Sequence, residues 1–316
     1  SRYAAQVVFL IGFSSVILSR FQKGLPEIIK DMKTIGIIGG SGLYAIEGLT
    51  GIEKVGVDTP WGKPSDEFTV GELSGARLVF LPRHGRGHTL LPSDINYRAN
   101  IYAMKKLGVE WIVSVSAVGS MKEEIEPGHV VVPSQFYDHT KSRASTFFGG
   151  GIAAHVSMAD PVCPVLSGAL AESAKGEGAV VHTGATYICM EGPQFSSRAE
   201  SEIYRKWGVD IIGMTNMPEA KLAREAEICY ATLALSTDYD CWHEGHGDVT
   251  VDDIIATVNR NVELAKRVVA RVVTAISETR DCICSRSLEN AIITSPDAIS
   301  PEARERLGII IKRYIQ

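Results

Sequence analysis

The chain has 316 residues, is 45% hydrophobic and 22% charged, and carries a formal net charge of −5. That length and apolar content suit one large domain with a sizeable core, or two small ones. The mild acidic balance, without charge blocks, low-complexity tracts or internal repeats, argues against a nucleic-acid surface and leaves room for a local basic pocket.

Residues 1–31 hold an apolar stretch interrupted by Gln6, Gly12, Ser14 and Ser15. It is short of the roughly 20 residues a membrane span needs, and no small-residue cleavage site comes after it. Met32-Lys33 stands directly before the first clear strand. The expectation is an upstream extension ahead of a core beginning at 32, with a signal or anchor as the alternative. The expected location is cytoplasmic.

"TIGIIGG" at 34–40 is an apolar run closed by glycines, which predicts a buried strand. "IEKVGVDT" and "EFTVGEL" alternate and predict strands of an antiparallel or half-exposed region. "RLVFLPRHG" at 77–85 is a second buried strand. A helix is predicted from about Ser93 to Leu107, with Asp94 in its first turn. "WIVSVSAVGS" predicts a strand running into a turn, and "HVVVPSQFYD" another strand. "AVVHTGATYICMEGPQF" predicts a long strand ending at Gly192-Pro193. "SSRAESEIYRKWG" predicts a helix with Ser caps and a Gly stop. "VDIIGMT" is strand, "MPEAKLAREAE" helix and "CYATLALSTDYD" strand. A long helix then runs from Val251 to Ile276. Strands alternating with helices, several wholly apolar, predict an α/β fold with a mixed, largely parallel central sheet flanked by helices. The expected organisation is one domain over 32–280 and a C-terminal strand/helix extension over 281–316.

Ligands bind beyond the carboxyl ends of strands in such sheets. The residues just past each strand are therefore the site candidates: Ser41, then Arg83 and His84, then Ser116 with Gly119 and Ser120. Glu191 to Ser196, Met214 and Thr215, and Asp238 and Asp240 complete the set.

The glycines of "GGSGLY" at 39–44 lack the G-x-G-x-x-G spacing, and no good helix comes after them. They let backbone amides approach an anion, with Ser41 adding a hydroxyl, although an ordinary tight turn explains them equally. In "LPRHGRGH" at 81–88, Arg83 can fork onto a phosphate and His84 can donate beside it; a surface basic loop is the plain alternative. Ser116, Thr215 and the backbone near Ala117 add donors. The set suits inorganic phosphate or a phosphoryl group, and no Walker A lysine invites a triphosphate. Two carboxylates cannot serve the same anion. Asp238 and Asp240 therefore read as meeting a group rich in donors, such as an adenine edge, with Phe195 offering an aromatic face. Capping of the next turn is the alternative.

Of the six cysteines, Cys189, Cys229 and Cys241 lie in or beside apolar runs and read as small hydrophobes. The CxC pair, Cys282 and Cys284, reads as unremarkable thiols, with a tail disulfide or metal role as the alternative. No Cys/His spacing suggests a zinc site.

"GIIGGSGLY", "PRHGRGH", "NYRANIYAMKKLG", "SVSAVGSMKEEIEPG", "EGPQFSSRAESE" and "GMTNMPEAKLAREAEICYATLALSTDYDCW" together resemble the 5'-methylthioadenosine phosphorylases, of the trimeric purine nucleoside phosphorylase superfamily. The resemblance runs from about Ile35 to Ile276. It implies phosphorolysis of methylthioadenosine to adenine and 5-methylthioribose 1-phosphate, a homotrimer, and neither cofactor nor metal, inorganic phosphate being a co-substrate. It places Ser41, Arg83, His84, Ser116, Thr215 and the Ala117 amide on phosphate. Met214 falls under the ribose, Phe195 against the purine, and Ser196, Asp238 and Asp240 on the base. His155, lent across a subunit interface, and Val251, Ile254 and Ile255 of the long helix fall at the methylthio end. One departure is Asn216 beside Thr215, where some relatives have Thr; as a neighbouring strand position it is expected to point to the opposite face.

N-glycosidic cleavage puts positive charge on the sugar and negative charge on the leaving base. Phosphate answers the first. A proton delivered to N7 answers the second, and Asp238 is the expected donor, its pKa raised by burial beside another carboxylate. A 6-oxopurine would leave these acids facing an acceptor. A 6-oxopurine or methylthioinosine phosphorylase, a water-using nucleosidase and a non-catalytic adenine nucleoside sensor are the competing readings.

Overall fold

In the computed structural model, residues 32–40, 42–243 and 251–315 are described, without the side chains of 251–256, 258 and 259. Residues 1–31, Ser41 and the side chains of Val251, Ile254 and Ile255 lie outside the described residues. Lys33–Gln316 forms one compact unit.

Among the described residues, eleven strands build one sheet: β1 (Thr34–Gly39), β2 (Thr50–Val55), β3 (Phe68–Leu73), β4 (Ala76–Pro82), β5 (Trp111–Ser120), β6 (Val130–Val132), β7 (Gln135–His139), β8 (Val181–Thr183), β9 (Thr186–Met190), β10 (Ile211–Gly213) and β11 (Cys229–Tyr239). The main path runs β2-β3-β4-β1-β5-β10-β9-β7, with β11 on β5 and β6, and β8 on β6. β1 pairs in parallel with both β4 and β5, and β11 in parallel with β5. The β2–β3–β4 meander and the β5–β10 pair are antiparallel, so the sheet is mixed.

Alternation along the strands feeds two large cores, with a smaller cluster of Met121, Ile188, Tyr204, Val209 and Ile212 beside them. Ile35, Ile37, Leu78, Phe80, Trp111 and Val113 face one side, under α2 (Pro164–Gly176) and α5 (Val251–Ala275). Ile38, Val79, Leu81 and Ile112 face the other. There they meet α1 (Tyr97–Lys106), α4 (Asn216–Glu225) and α6 (Pro301–Ile311). The remaining helix, α3 (Arg198–Lys206), opens with a full capping box between Ser197 and Glu200. None of the helices among the described residues is long and apolar enough to cross a membrane.

Three boundaries differ from the sequence expectation. The first helix starts at Tyr97, four residues late, because Asn96 caps it by accepting from the Ala99 amide; Asp94 lies outside. "HVVVPSQFYD" is two strands joining different neighbours, since Pro133 cannot donate to a ladder. The long stretch after Ala179 divides at Gly184, whose φ of +80° breaks the extended backbone between β8 and β9. Residues 281–316 belong to the same unit: Leu288, Ala291, Ile299, Leu307 and Ile310 join the α1/α4 core. Ser287 Oγ donates to Arg224 O, and the Leu288 amide to Glu227.

Candidate active site

The site forms where β5 changes partner. Its first half pairs with β1 up to Ser114, and its end, Gly119–Ser120, pairs antiparallel with β10. β11 occupies the other edge throughout. Residues 115–118 are therefore left without a strand on the β1/β10 edge, and Ala117 is exposed there. This divergence is the crevice that doubly wound sheets use for ligands. β10 delivers Met214 and Thr215 to it.

The two acids come from β11, and a bulge aims them. Ser236 pairs with Val118 but Asp238 pairs with Gly119, so Thr237 is an extra residue. The bulge moves Asp238 to the face opposite Ser236, beside Gly119. A Cβ on Gly119 would lie 3.5 Å from Asp238 Oδ2 and 3.7 Å from Asp240 Cβ. The missing side chain is what leaves space between the carboxylates. Burial pushes the Asp238 carboxyl above the usual carboxylate range; a hydrogen bond from Thr237 Oγ1 (2.6 Å) opposes this, and the charge of Asp240 adds to it. Asp240 is buried, and its Oδ2 has no hydrogen-bond partner among the described residues. A buried acceptor left open is costly unless something else supplies the donor.

Ser116 and Thr215 meet around one phenol. The Tyr187 hydroxyl lies 3.3 Å from Ser116 Oγ and meets the Thr215 amide. Thr215 is the N-cap of α4, and its own side chain makes no capping bond. Its hydroxyl and the open edge at Ala117 offer a small set of donors suited to an anion. His84 is half-buried. Its Nδ1 donates to Leu90 O at 2.8 Å, leaving Nε2 as the other ring atom, and burial is the main cause lowering its pKa. His88 stacks on it, centroids 4.2 Å apart.

Arg83 departs from expectation. Both edges of its fork are taken: Nε donates to Glu219 Oε2 at 2.8 Å and Nη2 to Glu219 Oε1 at 3.0 Å, while Nη1 donates to Val115 O at 3.1 Å. Burial alone would lower its pKa, but Glu219 outweighs that and holds the guanidinium charged. The Nε/Nη2 edge thus faces Glu219, and the guanidinium lies in a floor beneath the crevice. Asn216 is corrected. It is not a strand residue facing away but the first residue of α4, buried, donating to Tyr230 and Thr232 hydroxyls at 2.6 and 2.9 Å.

The expected nucleoside residues sit on the rim. Met214 fills the space beside Gly192, where a Cβ would lie 2.6 Å from its sulfur, and its carbonyl accepts from Arg143. Phe195 is 85% exposed, on the loop between β9 and α3, and Ser196 O accepts from Cys241 Sγ. His155 stands elsewhere: its amide donates to Ala291 O of the tail, and it lines a cavity of about 270 Å³ with Arg224, Ile283 and Asn290. That cavity includes Arg224 in the last turn of α4, whereas Thr215 stands just before the segment's first residue.

Residues 34–274 match the phosphorylase superfamily. The S-methyl-5'-thioadenosine phosphorylase of Geobacter sulfurreducens is 61% identical over 284 residues, covering 90% of this chain and 99% of its own. That of Koribacter versatilis is 54% identical over 89% of this chain and 96% of its own. Among solved structures, a methylthioadenosine phosphorylase from an antarctic soil metagenomic library aligns with TM-score 0.86 at 51% identity, covering 89% of this chain and 99% of that one. A variant of the adenosine/methylthioadenosine phosphorylase of Schistosoma mansoni, in complex with methylthioadenosine, aligns with TM-score 0.72 at 35% identity, over 77% of this chain and 91% of that one. The chain belongs to the S-methyl-5'-thioadenosine phosphorylase family.

Within this methylthioadenosine phosphorylase framework, four structural residues were not legible as such in the sequence. Glu219 and Tyr187 look like an exposed helical acid and a strand aromatic, yet both are buried beneath the crevice. Gly213 is required because a Cβ there would fall 2.0 Å from the Tyr187 hydroxyl. Gly119 appears among the residues at strand ends, but only the bulge opposite it reveals its role.

Proposed function

We propose that this crevice performs phosphorolysis of S-methyl-5'-thioadenosine, releasing adenine and 5-methylthioribose 1-phosphate. The observation carrying it is the Asp238–Asp240 cradle over Gly119: one carboxyl held up in pKa, the other with a buried oxygen lacking a donor among the described residues. An aminopurine meets both. Its exocyclic amine gives the missing hydrogen bond, and its N7 takes the proton Asp238 retains.

Phosphate would lie at the open edge of β5, against Ser116, Thr215 and the Ala117 amide, with the Ser41 hydroxyl as a further donor. A phosphate that keeps one proton can give it to His84 Nε2, and an incoming oxygen is then held by hydroxyls and amides. Arg83, neutralised by Glu219, positions Val115 and Ser114 under that edge. Ala117 and Gly119 are two residues apart on β5, about 7 Å at strand spacing, which separates the anion from the base by the room a sugar needs. Phosphate attack and N7 protonation then act at opposite ends of one breaking bond. Met214 would underlie the ribose, Phe195 cover the purine, and Ser196 assist in reading it. Val251, Ile254 and Ile255, with His155 from a neighbouring subunit of a trimer, would enclose the methylthio group.

The test is adenine release from methylthioadenosine, and hypoxanthine release from methylthioinosine, each with and without phosphate, in wild type and Asp238→Asn. Phosphate-dependent cleavage of the amino substrate is expected. Asp238→Asn should lower it about 10²–10⁴-fold, the usual contribution of a general acid, and favour the oxo substrate relatively. Phosphate-independent cleavage would make the crevice a nucleosidase; no cleavage by wild type would leave only a binding role.

A further inference from the structure

Far from the crevice, four cysteines that the sequence scatters come together. The sulfurs of Cys163, Cys229, Cys282 and Cys284 all lie within 4.8 Å of one another, and all four residues are buried. We propose that they form a closed tetrathiolate site for zinc. The spacing of the residues in the chain hides this: Cys163 is the N-cap of α2, Cys229 opens β11, and the CxC pair brackets the turn after α5.

The geometry fits the ion. Zinc–thiolate bonds of about 2.3 Å in a tetrahedron put sulfurs about 3.8 Å apart. The cluster meets this with every pair inside 4.8 Å and Cys229 and Cys282 at 3.3 Å. A pair of disulfides needs only two close pairs, each at about 2 Å; mutual convergence of four sulfurs is what a central cation demands. Cys163 is the N-cap residue of α2, which places it at the positive end of that helix, where a thiolate is favoured. On binding, each thiol releases its proton and gives a lone pair to the ion, with no change of oxidation state.

Four protein ligands leave no open position, so the site is structural. It lies at the start of β11, whose other end carries the acids, about 30 Å along the strand. It joins the strand core and α2 to the segment from which the tail departs.

The test uses the whole chain, produced with zinc in the medium and purified without chelator. Expected are one zinc per chain by elemental analysis and, after exchange with cobalt(II), the thiolate charge-transfer and visible bands of tetrahedral cobalt. All six cysteines should titrate as free thiols after denaturation with chelator. Cys284→Ser should lose the zinc and Cys189→Ala keep it. Zinc below about a tenth of an equivalent after reduction and reloading, copper(I) held in its place, or four sulfurs locked in disulfides would each overturn the proposal. These wild-type readouts decide the matter even if Cys284→Ser does not fold.

Discussion

One absent methyl group separates a binding cradle from a filled one. Gly119 has ordinary backbone angles, so alanine is allowed there conformationally, but its Cβ would sit 3.1 Å from Ile212 and within 4 Å of both acids. Gly119→Ala should therefore fold, with unfolding midpoint close to wild type, and lose about 10–200-fold in kcat/KM for methylthioadenosine. Unchanged kinetics would mean the base binds elsewhere. Asp238 makes a second prediction, on stability. Its folded pKa lies above the unfolded value, so the folded state holds more protons between the two, and stability falls as pH rises through that window. Asp238→Asn removes the titration. The variant should be more stable than wild type at neutral pH, and the gain should vanish below the ordinary aspartate range. Urea unfolding at several pH values measures this, and a gain that persists in acid would contradict it.

Elements show which parts of the architecture the sequence could carry. Apolar runs with β-branched residues made the central strands and the α/β class legible, and the residues ending them nominated the crevice. Periodicity is silent on two events that build it. The bulge at Thr237 leaves the local residue pattern unchanged yet turns the acids over, and the change of partner along β5 depends on strands more than seventy positions away. Arg83 shows the same limit: its residue type promised an anion contact, but Glu219, from α4, takes its Nε/Nη2 edge and Val115 O takes Nη1. Glu219 also accepts from Ser114 and Tyr230, so the pair sits within a hydrogen-bonded floor. Removing one partner strands a buried charge. Glu219→Ala should cost about 3–5 kcal/mol, and Glu219→Gln, which keeps acceptor and donor atoms, clearly less. Equal losses in the two variants by chemical denaturation would show that packing, not charge, is what Glu219 supplies.

At the scale of the whole molecule, the tail ties distant parts of the chain together. It leaves the cysteine cluster, hydrogen-bonds to the end of α4, and forms a bridge at Ile292 with Ala154, next to His155. His155 is thereby held exposed beside Arg224 of the last turn of α4. If a neighbouring subunit's crevice receives it, each site is built from two chains, and activity becomes a property of pairs. His155→Ala and Asp238→Ala then damage a site from different subunits. Each variant alone should be impaired, by about 10–200-fold and 10²–10⁴-fold in kcat/KM respectively. Co-expressed in equal amounts with different affinity tags and purified through both, they should recover activity. A site is intact when its own chain carries the His155 change and the chain lending to it carries the Asp238 change, which in a doubly tagged trimeric ring is about one site in three. If His155 serves its own crevice, no mixed site holds both wild-type side chains, and the doubly tagged protein stays at the mean of the two single variants. Recovery well above that mean therefore tests both the shared site and the oligomer that sharing requires.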